Sequence, residues 1–533
     1  MRCLLSITIL LLVRKGAAFN PAHSTASAVK GRDFFRVMPA LQPSLRSALR
    51  TSICVSPSEE ASGESMDKFS RTSLILSTTF NLVKTIAGSG ILALPSGIAA
   101  TSDFKDRYVE SALPLRLYDR RPNSLHITAR LAPALAIMVG LGAISAYTFI
   151  LYGRSLNVHK SHSLGELWKK EKGERSSWMI SMTTMTFCFG GALSYSILLA
   201  DTFEALAHTL SLRGMCLSRS FWILTLTPTL LYPLCNLQSL LSLAPLSVAG
   251  VAAVATTTCF LGWRCPSFNP RSPYSAAGGA LIGTLSSNLA PTFNTYNKPL
   301  FSPSSAILIG MAASAYLGHF SAPSFYGSLK PKSEKSNSSS SQEMVNYNIV
   351  AALGFTSAAL LNCLVMAFGF LTFGGSSSGL ILNNFSLQDL GASVCRLLMV
   401  VCVLGGYPFL VSGVVEEFLQ LRGKHKTRQT SREARKNATT CTLFLLTALS
   451  LVMEDAGFVI GFSGAVMGSF IVYVFPALLF LSHSKKIPKL SHPRRAQTIE
   501  RIFCRFLVGF GAIVAVLGGF VSAISTFSPK LLR

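Results

Sequence analysis

Acidic residues are scarce: 23 Asp and Glu stand against 48 Lys and Arg in 533 residues. Only 13% of the chain is charged, while half of it is hydrophobic. A soluble domain of that balance could not cover its surface with charge. Repeated apolar runs of about 20 residues, each long enough to cross a hydrocarbon core, account for it. The chain reads as a polytopic membrane protein. Its twelve cysteines contain no Cys-x-x-Cys pair. Most lie in apolar runs, where cysteine behaves as a small hydrophobe, so metal binding has no support and no cofactor is implied. The nine histidines are scattered, mostly in loops. No His, Asp or Glu set with nucleophile or metal spacing converges at helix ends, so no catalytic residue is assigned and an enzyme is excluded. A net charge of +25 would attract a phosphate backbone, but no nucleic-acid-binding motif accompanies it. The basic residues fall between apolar segments, where they meet lipid headgroups, so the bilayer rather than nucleic acid is the partner.

The N-terminus has the order of a leader. Met1-Arg2 precede an apolar run at 4–13, then the small residues Gly16, Ala17 and Ala18. That run is too short to span and reads as a signal peptide at 1–18, cut before Phe19. Residues 19–72 form a transit-like or disordered tail, rich in Ser, Ala and Arg at its start. Together they resemble the two-part presequences of complex plastids; a signal anchor followed by a disordered tail is the other reading. A plastid membrane, an endomembrane and the plasma membrane stay open as destinations.

Eleven segments are long and apolar enough to span: 73–100, 131–153, 178–203, 221–238, 240–262, 306–329, 345–373, 392–418, 438–453, 458–483 and 503–526. The Gly- and Ser-rich piece 276–290 is short and reads as a loop or re-entrant segment. The organisation expected is five spans over 73–262, a loop over 263–305, five spans over 306–483, and a basic loop, last span and tail over 484–533. Loop charge supports this order. Residues 154–175 carry six basic side chains, 422–436 seven, 485–501 six and 330–335 three, all on one face. That face is the cytoplasm-equivalent one, which places the N-terminus inside and the C-terminus outside. The loop 101–130 departs from the rule with six basic and four acidic residues; a genuine insertion and a mistranslated piece of the gene both stay open.

The first span contains FNLVKTIAGSGILALP (80–95). Gly88, Ser89 and Gly90 are poor helix formers, and Pro95 lacks an amide donor. Irregular backbone survives at membrane depth only where protein encloses it. A helix interrupted here frees amides at the positive end of a half-helix dipole, which suits a carboxylate. Close helix packing by small residues is the plainer alternative. A second weak point favours the first reading: the sixth span reads ILIGMAASAYLGHFSAPSFYGSLKP, with Gly318, His319 and Pro323 interrupting it. Inverted repeats place two broken helices five spans apart in this way.

These residues also carry a resemblance. FNLVKTIAGSGILALP, GALSYSILLADTF (191–203), LAPLSVAG (243–250), GHFSAPSFYGSLKP (318–331), GFLTFG (369–374), GLILNNFS (379–386), GGYPFLVSG (405–413) and GFSGAVMGSFIVYVFPALLFL (461–481) resemble, in order, blocks of the amino acid/auxin permease family. That family includes the neutral and vacuolar amino acid transporters. The resemblance implies an all-α fold of about eleven helices in a five-plus-five inverted repeat, broken at helices one and six. It implies a secondary transporter of amino acids working by alternating access. The main-chain groups of Ala87, Gly88, Ser89 and Gly90 would bind the substrate carboxylate. Ala315, Tyr316 and Gly318 would meet its amino group and side chain. An amino-acid sensor on the same fold, without turnover, is the alternative. Some relatives link the loops that hold Cys216 and Cys265, so a disulfide and two free thiols both stay open.

Lys84 shares a helix face with Gly88 and lies at least eleven residues from either end of its span, too deep to snorkel. Sodium-coupled relatives place a neutral oxygen ligand at the matching position and a hydroxyl just before the match to Tyr407-Pro408. Here Lys84 and Gly406 stand instead. A fixed ammonium supplies the charge that sodium would bring, which favours proton-coupled symport or sodium-independent exchange. The plainer reading pairs Lys84 with Asp201 or with a carbonyl to hold the fold. His319 is either a proton acceptor or a neutral ring capping carbonyls freed by the break.

Overall fold

A computed structural model describes residues 63–102, 124–161, 163–237, 244–275, 279–293, 305–329, 340–422, 428–486 and 494–527. The leader, most of the expected tail and most of the 101–130 loop lie outside them. Phe69–Arg533 is one compact unit.

In hydrocarbon every backbone polar group must be satisfied within the protein, so apolar runs of this length become helices. The first comprises α1 (Gly63–Ile86), a 3-10 turn (Ser89–Ala93) and α2 (Leu94–Ser102). Next come α3 (Ser124–His159), a short helix α4 (Leu164–Lys172) and α5 (Ser177–Thr209). The fourth span is α6 (Arg219–Leu226), a π turn (Thr227–Leu231) and α7 (Tyr232–Cys235). The fifth is α8 (Ala244–Arg264). The sixth is divided into α9 (Ser305–Ala315), a 3-10 turn (His319–Ser321) and α10 (Ala322–Ser328). Then follow α11 (Ser340–Phe373), α12 (Leu390–Leu421) and α13 (Arg428–Val452). The tenth span runs from α14 (Ala456–Ser463) through π turns at Gly464–Gly468 and Phe470–Val474 into α15 (Phe475–Lys486). The last is α16 (Arg494–Phe527).

Each of the eleven expected segments contains helix among its described residues. Among the described residues, seven helices are long and apolar enough to cross a membrane, and the bent pair Arg71–Ile86 and Gly90–Ala100 makes an eighth. The other three fall short for visible reasons. Val248–Arg264 within α8 is apolar but shorter, the fourth span is cut by its π turn at Pro228, and α13 begins in basic residues. Residues 279–293 form turns with one 3-10 turn at Ile282–Thr284, tied to the end of α11 by Thr292 N to Phe373 O at 3.1 Å and Gly375 N to Thr292 O at 2.8 Å. Cys216 and Cys265 are both free thiols, which closes the alternative the sequence left open.

Helix α12 is the packing centre, lying against α5, α8 and α13, while α3 packs on α11 and α9 on α2, α14 and α16. Its start is fixed by one buried carboxylate. Asp389 accepts hydrogen bonds from the amides of Gly391 (3.0 Å) and Ala392 (3.4 Å), from Arg264 (2.8 Å) and from the Tyr274 hydroxyl (3.2 Å). Burial first, and then the Asp389 charge, raise the Tyr274 phenol above its ordinary range, so it stays a donor. The change Asp389→Ala strands Arg264 and the helix cap, and should cost about 3–5 kcal/mol. A clear fall in the unfolding temperature of the detergent-solubilised protein is the expected result; an unchanged midpoint would remove Asp389 from this role.

Candidate functional site

The first break begins where α1 stops. The amides of Ala87 and Gly88 turn back to Val83 O (2.6 Å) and Ile86 O (2.9 Å), and the Gly88 carbonyl accepts from Ile91 N at 3.3 Å. Gly88 is extended, with φ −86° and ψ −161°. The amides of Ser89 and Gly90 then open the 3-10 turn, where a helix offers its first donors no internal acceptor. Of the four main-chain groups expected to meet a carboxylate, the geometry thus singles out the amides of Ser89 and Gly90. The segments on either side of the break differ in direction by 43°.

The second break stands against the first. Tyr316 N closes on Ala312 O at 3.0 Å and Gly318 N on Tyr316 O at 3.1 Å, after which His319–Ser321 forms a 3-10 turn. The bare face of Gly318 meets Ile86 and Leu82 of α1, at 3.1 and 3.3 Å from where a Cβ would lie. On the far side of the breaks, Ser96 and Gly97 of α2 contact Met311 of α9. Ala315 and Tyr316 are buried beside this junction.

Three features escaped the sequence reading. The hydroxyl of Tyr195, from the middle of α5, points at Gly88, occupying the place a Cβ there would take. Gly90 faces Ile460 of the tenth span, and Gly190 faces Ser463. The tenth span itself is unwound into two π turns, of a kind that often marks function. A tyrosine in the centre of the run GALSYSILLADTF was the available signal for the first. The π turns follow the small residues Gly461, Gly464 and Gly468, which other helices can also carry.

Lys84 is buried, and its Nζ donates to the carbonyl of Gly405 at 2.9 Å, with the Phe409 ring 5.2 Å away. The carbonyl partner was one of the two expected; Asp201 was the other, and it binds Arg219 instead at 2.9 Å. Lys84 therefore links α1 to α12 at the level of the break. Gly406, next along α12, faces the Tyr195 ring at 3.0 Å from where a Cβ would lie. The room a hydroxyl side chain would need there is taken by that ring.

His319 is fully buried. Its Nε2 lies 3.0 Å from Thr148 Oγ1 and 3.0 Å from the Ser145 carbonyl, so that nitrogen carries the hydrogen. The ring caps a carbonyl of α3, not one freed in its own broken helix. Its Nδ1, left with a lone pair, has no partner among the described residues, and neither does the side chain of Asn362. The Tyr316 hydroxyl faces Asn362 and the Tyr473 hydroxyl faces Ser145, yet neither pair closes a hydrogen bond. Buried polar groups are costly when unmatched, so their concentration beside the second break marks a place built for a polar occupant. A wide groove between α8 and α11, lined by Cys259, Trp263, Phe268 and Phe368, shares no residue with this region.

Two abutting broken helices within an eleven-segment helical bundle define the fold of a polytopic membrane protein. The solved manganese transporter of Eremococcus coleocola superposes with a TM-score of 0.53 over 90% of this chain and 94% of that one, at 11% identity, a likeness of fold alone. The chain belongs to the transmembrane amino acid transporter protein family, whose pattern matches residues 131–521. Vacuolar amino acid transporter 5 of Schizosaccharomyces pombe is 24% identical over 462 residues, 83% of this chain and 92% of that one. Amino acid transporter AVT6E of Arabidopsis thaliana is 22% identical over 461 residues, 83% of this chain and 82% of its own. Human sodium-coupled neutral amino acid transporter 7 is 31% identical over 164 residues, 30% of this chain and 34% of that one. The protein is thus a multi-pass integral membrane protein of a transporter family, not of an enzyme family.

Proposed function

We propose that the chain is a secondary active transporter that moves amino acids across its membrane by alternating access, without sodium. The contact of Gly318 with Ile86 and Leu82, which brings the two breaks together, carries the reading. On one side the amides of Ser89 and Gly90, with Ala87 and Gly88 shaping the turn, receive the substrate carboxylate at the positive end of α2. On the other, Ala315, Tyr316 and Gly318 receive the amino group and side chain. Alternating access then follows from the five-plus-five arrangement, 73–262 against 306–483, rocking about this junction.

The absence of sodium rests on Lys84. Its ammonium, held on the Gly405 carbonyl, puts a fixed positive charge where a coupling cation would add one. The Tyr195 ring against Gly406 removes the space for a further oxygen ligand. A proton is then the coupling ion, and the Nδ1 lone pair of His319 is a buried acceptor for it, while Nε2 holds the ring in place. The relatives' names support the amino acid as substrate.

Uptake by the purified protein in liposomes tests this, comparing sodium with choline, each with and without an inward proton gradient. Amino acid uptake that follows the proton gradient and ignores sodium is expected. A strict sodium requirement would overturn the role given to Lys84, and binding without uptake would overturn transport.

A further inference from the structure

We propose that His159, Glu171 and His483 form a binding site for a zinc-class divalent ion on the face that carries the basic loops. The three residues come from the end of α3, from α4 and from the end of α15, and the sequence shows no spacing that joins them. In the structure a ligand atom of each lies within 4.8 Å of the others. His159 Nε2 is 2.7 Å from Glu171 Oε2, and His483 Nδ1 is 4.0 Å from the same oxygen. The two imidazole rings cross at 73° with centroids 6.1 Å apart, converging on one carboxylate from different directions.

The local structure explains the convergence. Helix α4 begins at Ser163, whose side chain accepts from Glu166 N at 3.1 Å. Its buried stripe is Leu164, Leu167, Trp168 and Glu171, the i, i+3, i+4, i+7 pattern of a helix lying on a protein surface. Trp168 anchors that stripe against Phe475 of α15, with ring centroids 5.3 Å apart. The fourth position of the stripe calls for an apolar residue and holds a carboxylate whose side chain is 1% exposed. A buried carboxylate is retained where partners or a metal balance its charge. Lys160, the residue after His159, turns the chain with φ 45°, a left-handed conformation that a lysine adopts at a cost glycine would avoid. That turn folds α4 back over the end of α3.

Two imidazoles and one carboxylate are a donor set that zinc takes in three-ligand sites, with water in the fourth position. The histidine side chains keep about one-fifth of their surface exposed, which leaves an entry path and room for that water. Lys170 is engaged elsewhere, by Glu166 at 2.7 Å and by the His159 carbonyl at 3.1 Å. An ion bound here would clamp α4 to spans two and ten. This site is separate from the junction of the broken helices and does not depend on the transport reading.

Zinc chloride titrated into the purified full-length protein in detergent, followed by calorimetry and by the unfolding temperature, is the test. Saturable binding of one ion per chain is expected, with a rise in unfolding temperature that grows with free zinc. The near-isosteric variant Glu171→Gln and the variants His159→Ala and His483→Ala should each weaken binding by about tenfold or more. The control His208→Ala should leave it unchanged. Should the alanine variants fold poorly, the pair His159→Cys and His483→Cys, which supplies thiolate ligands, is expected to keep zinc binding. No binding by the wild-type chain, or equal binding by wild type and Glu171→Gln, would overturn the proposal. In the first case the cluster is a histidine–carboxylate hydrogen-bonded pair only; in the second the ion sits elsewhere.

Discussion

Lys84→Met is expected to lower sodium-free amino acid uptake by about tenfold or more while the protein still folds and purifies as a single species. The physical reason is the bond between Lys84 Nζ and the Gly405 carbonyl, 2.9 Å long and buried. A hydrogen bond to a charged donor contributes about 1.5–3 kcal/mol, and about 1.4 kcal/mol corresponds to a factor of ten. Methionine has similar length and flexibility and fills the same space beside Phe409, so packing survives. What is lost is a fixed charge at the junction of α1 and α12. If that charge replaces a coupling cation, the variant has either no uptake or uptake that now responds to sodium. Sodium-independent uptake at the wild-type rate would assign Lys84 to structure alone.

Gly88→Ala is expected to reduce uptake by about 100-fold, the scale at which a displacement of about 1 Å acts on a positioned site. Gly88 is extended, a conformation any residue adopts, so the penalty is not conformational. It is steric: the new methyl group would occupy the position of the Tyr195 hydroxyl. Either Tyr195 swings away or the 3-10 turn moves, and both disturb the amides of Ser89 and Gly90. Because the clash involves one hydroxyl, removing it is diagnostic. The double variant Gly88→Ala, Tyr195→Phe should recover part of the uptake lost by Gly88→Ala. Normal transport by the single variant would move the substrate site away from the first break. A comparable loss with no recovery in the double variant would show that the turn, rather than Tyr195, is what the methyl group displaces.

Most of the architecture was legible because hydrocarbon leaves a chain few options. Apolar runs of the required length become helices, and each of the eleven segments read from the sequence contains helix among its described residues. The two breaks were legible for the same reason: Gly-Ser-Gly at 88–90 and Gly-His at 318–319 are costly in lipid unless protein encloses them. The pairing of Lys84 was legible only as a choice between two partners. Hydropathy could not choose, since both Asp201 and the α12 carbonyls lie within apolar spans. Arg219, one loop further on, decided the matter by taking Asp201.

The sequence by itself determined the class of protein, the number of helical segments, and the two positions where helices must break, because these follow from local composition and the cost of unpaired backbone in lipid. Tertiary structure alone decided what stands opposite each break. It brought Tyr195 onto Gly88, set Gly318 on α1, unwound the tenth span, and gathered His159, Glu171 and His483 from positions 159, 171 and 483 into one cluster. Those contacts depend on how each helix is rotated about its own axis. Rotation is set by packing against several distant neighbours at once, and no single stretch of sequence records it.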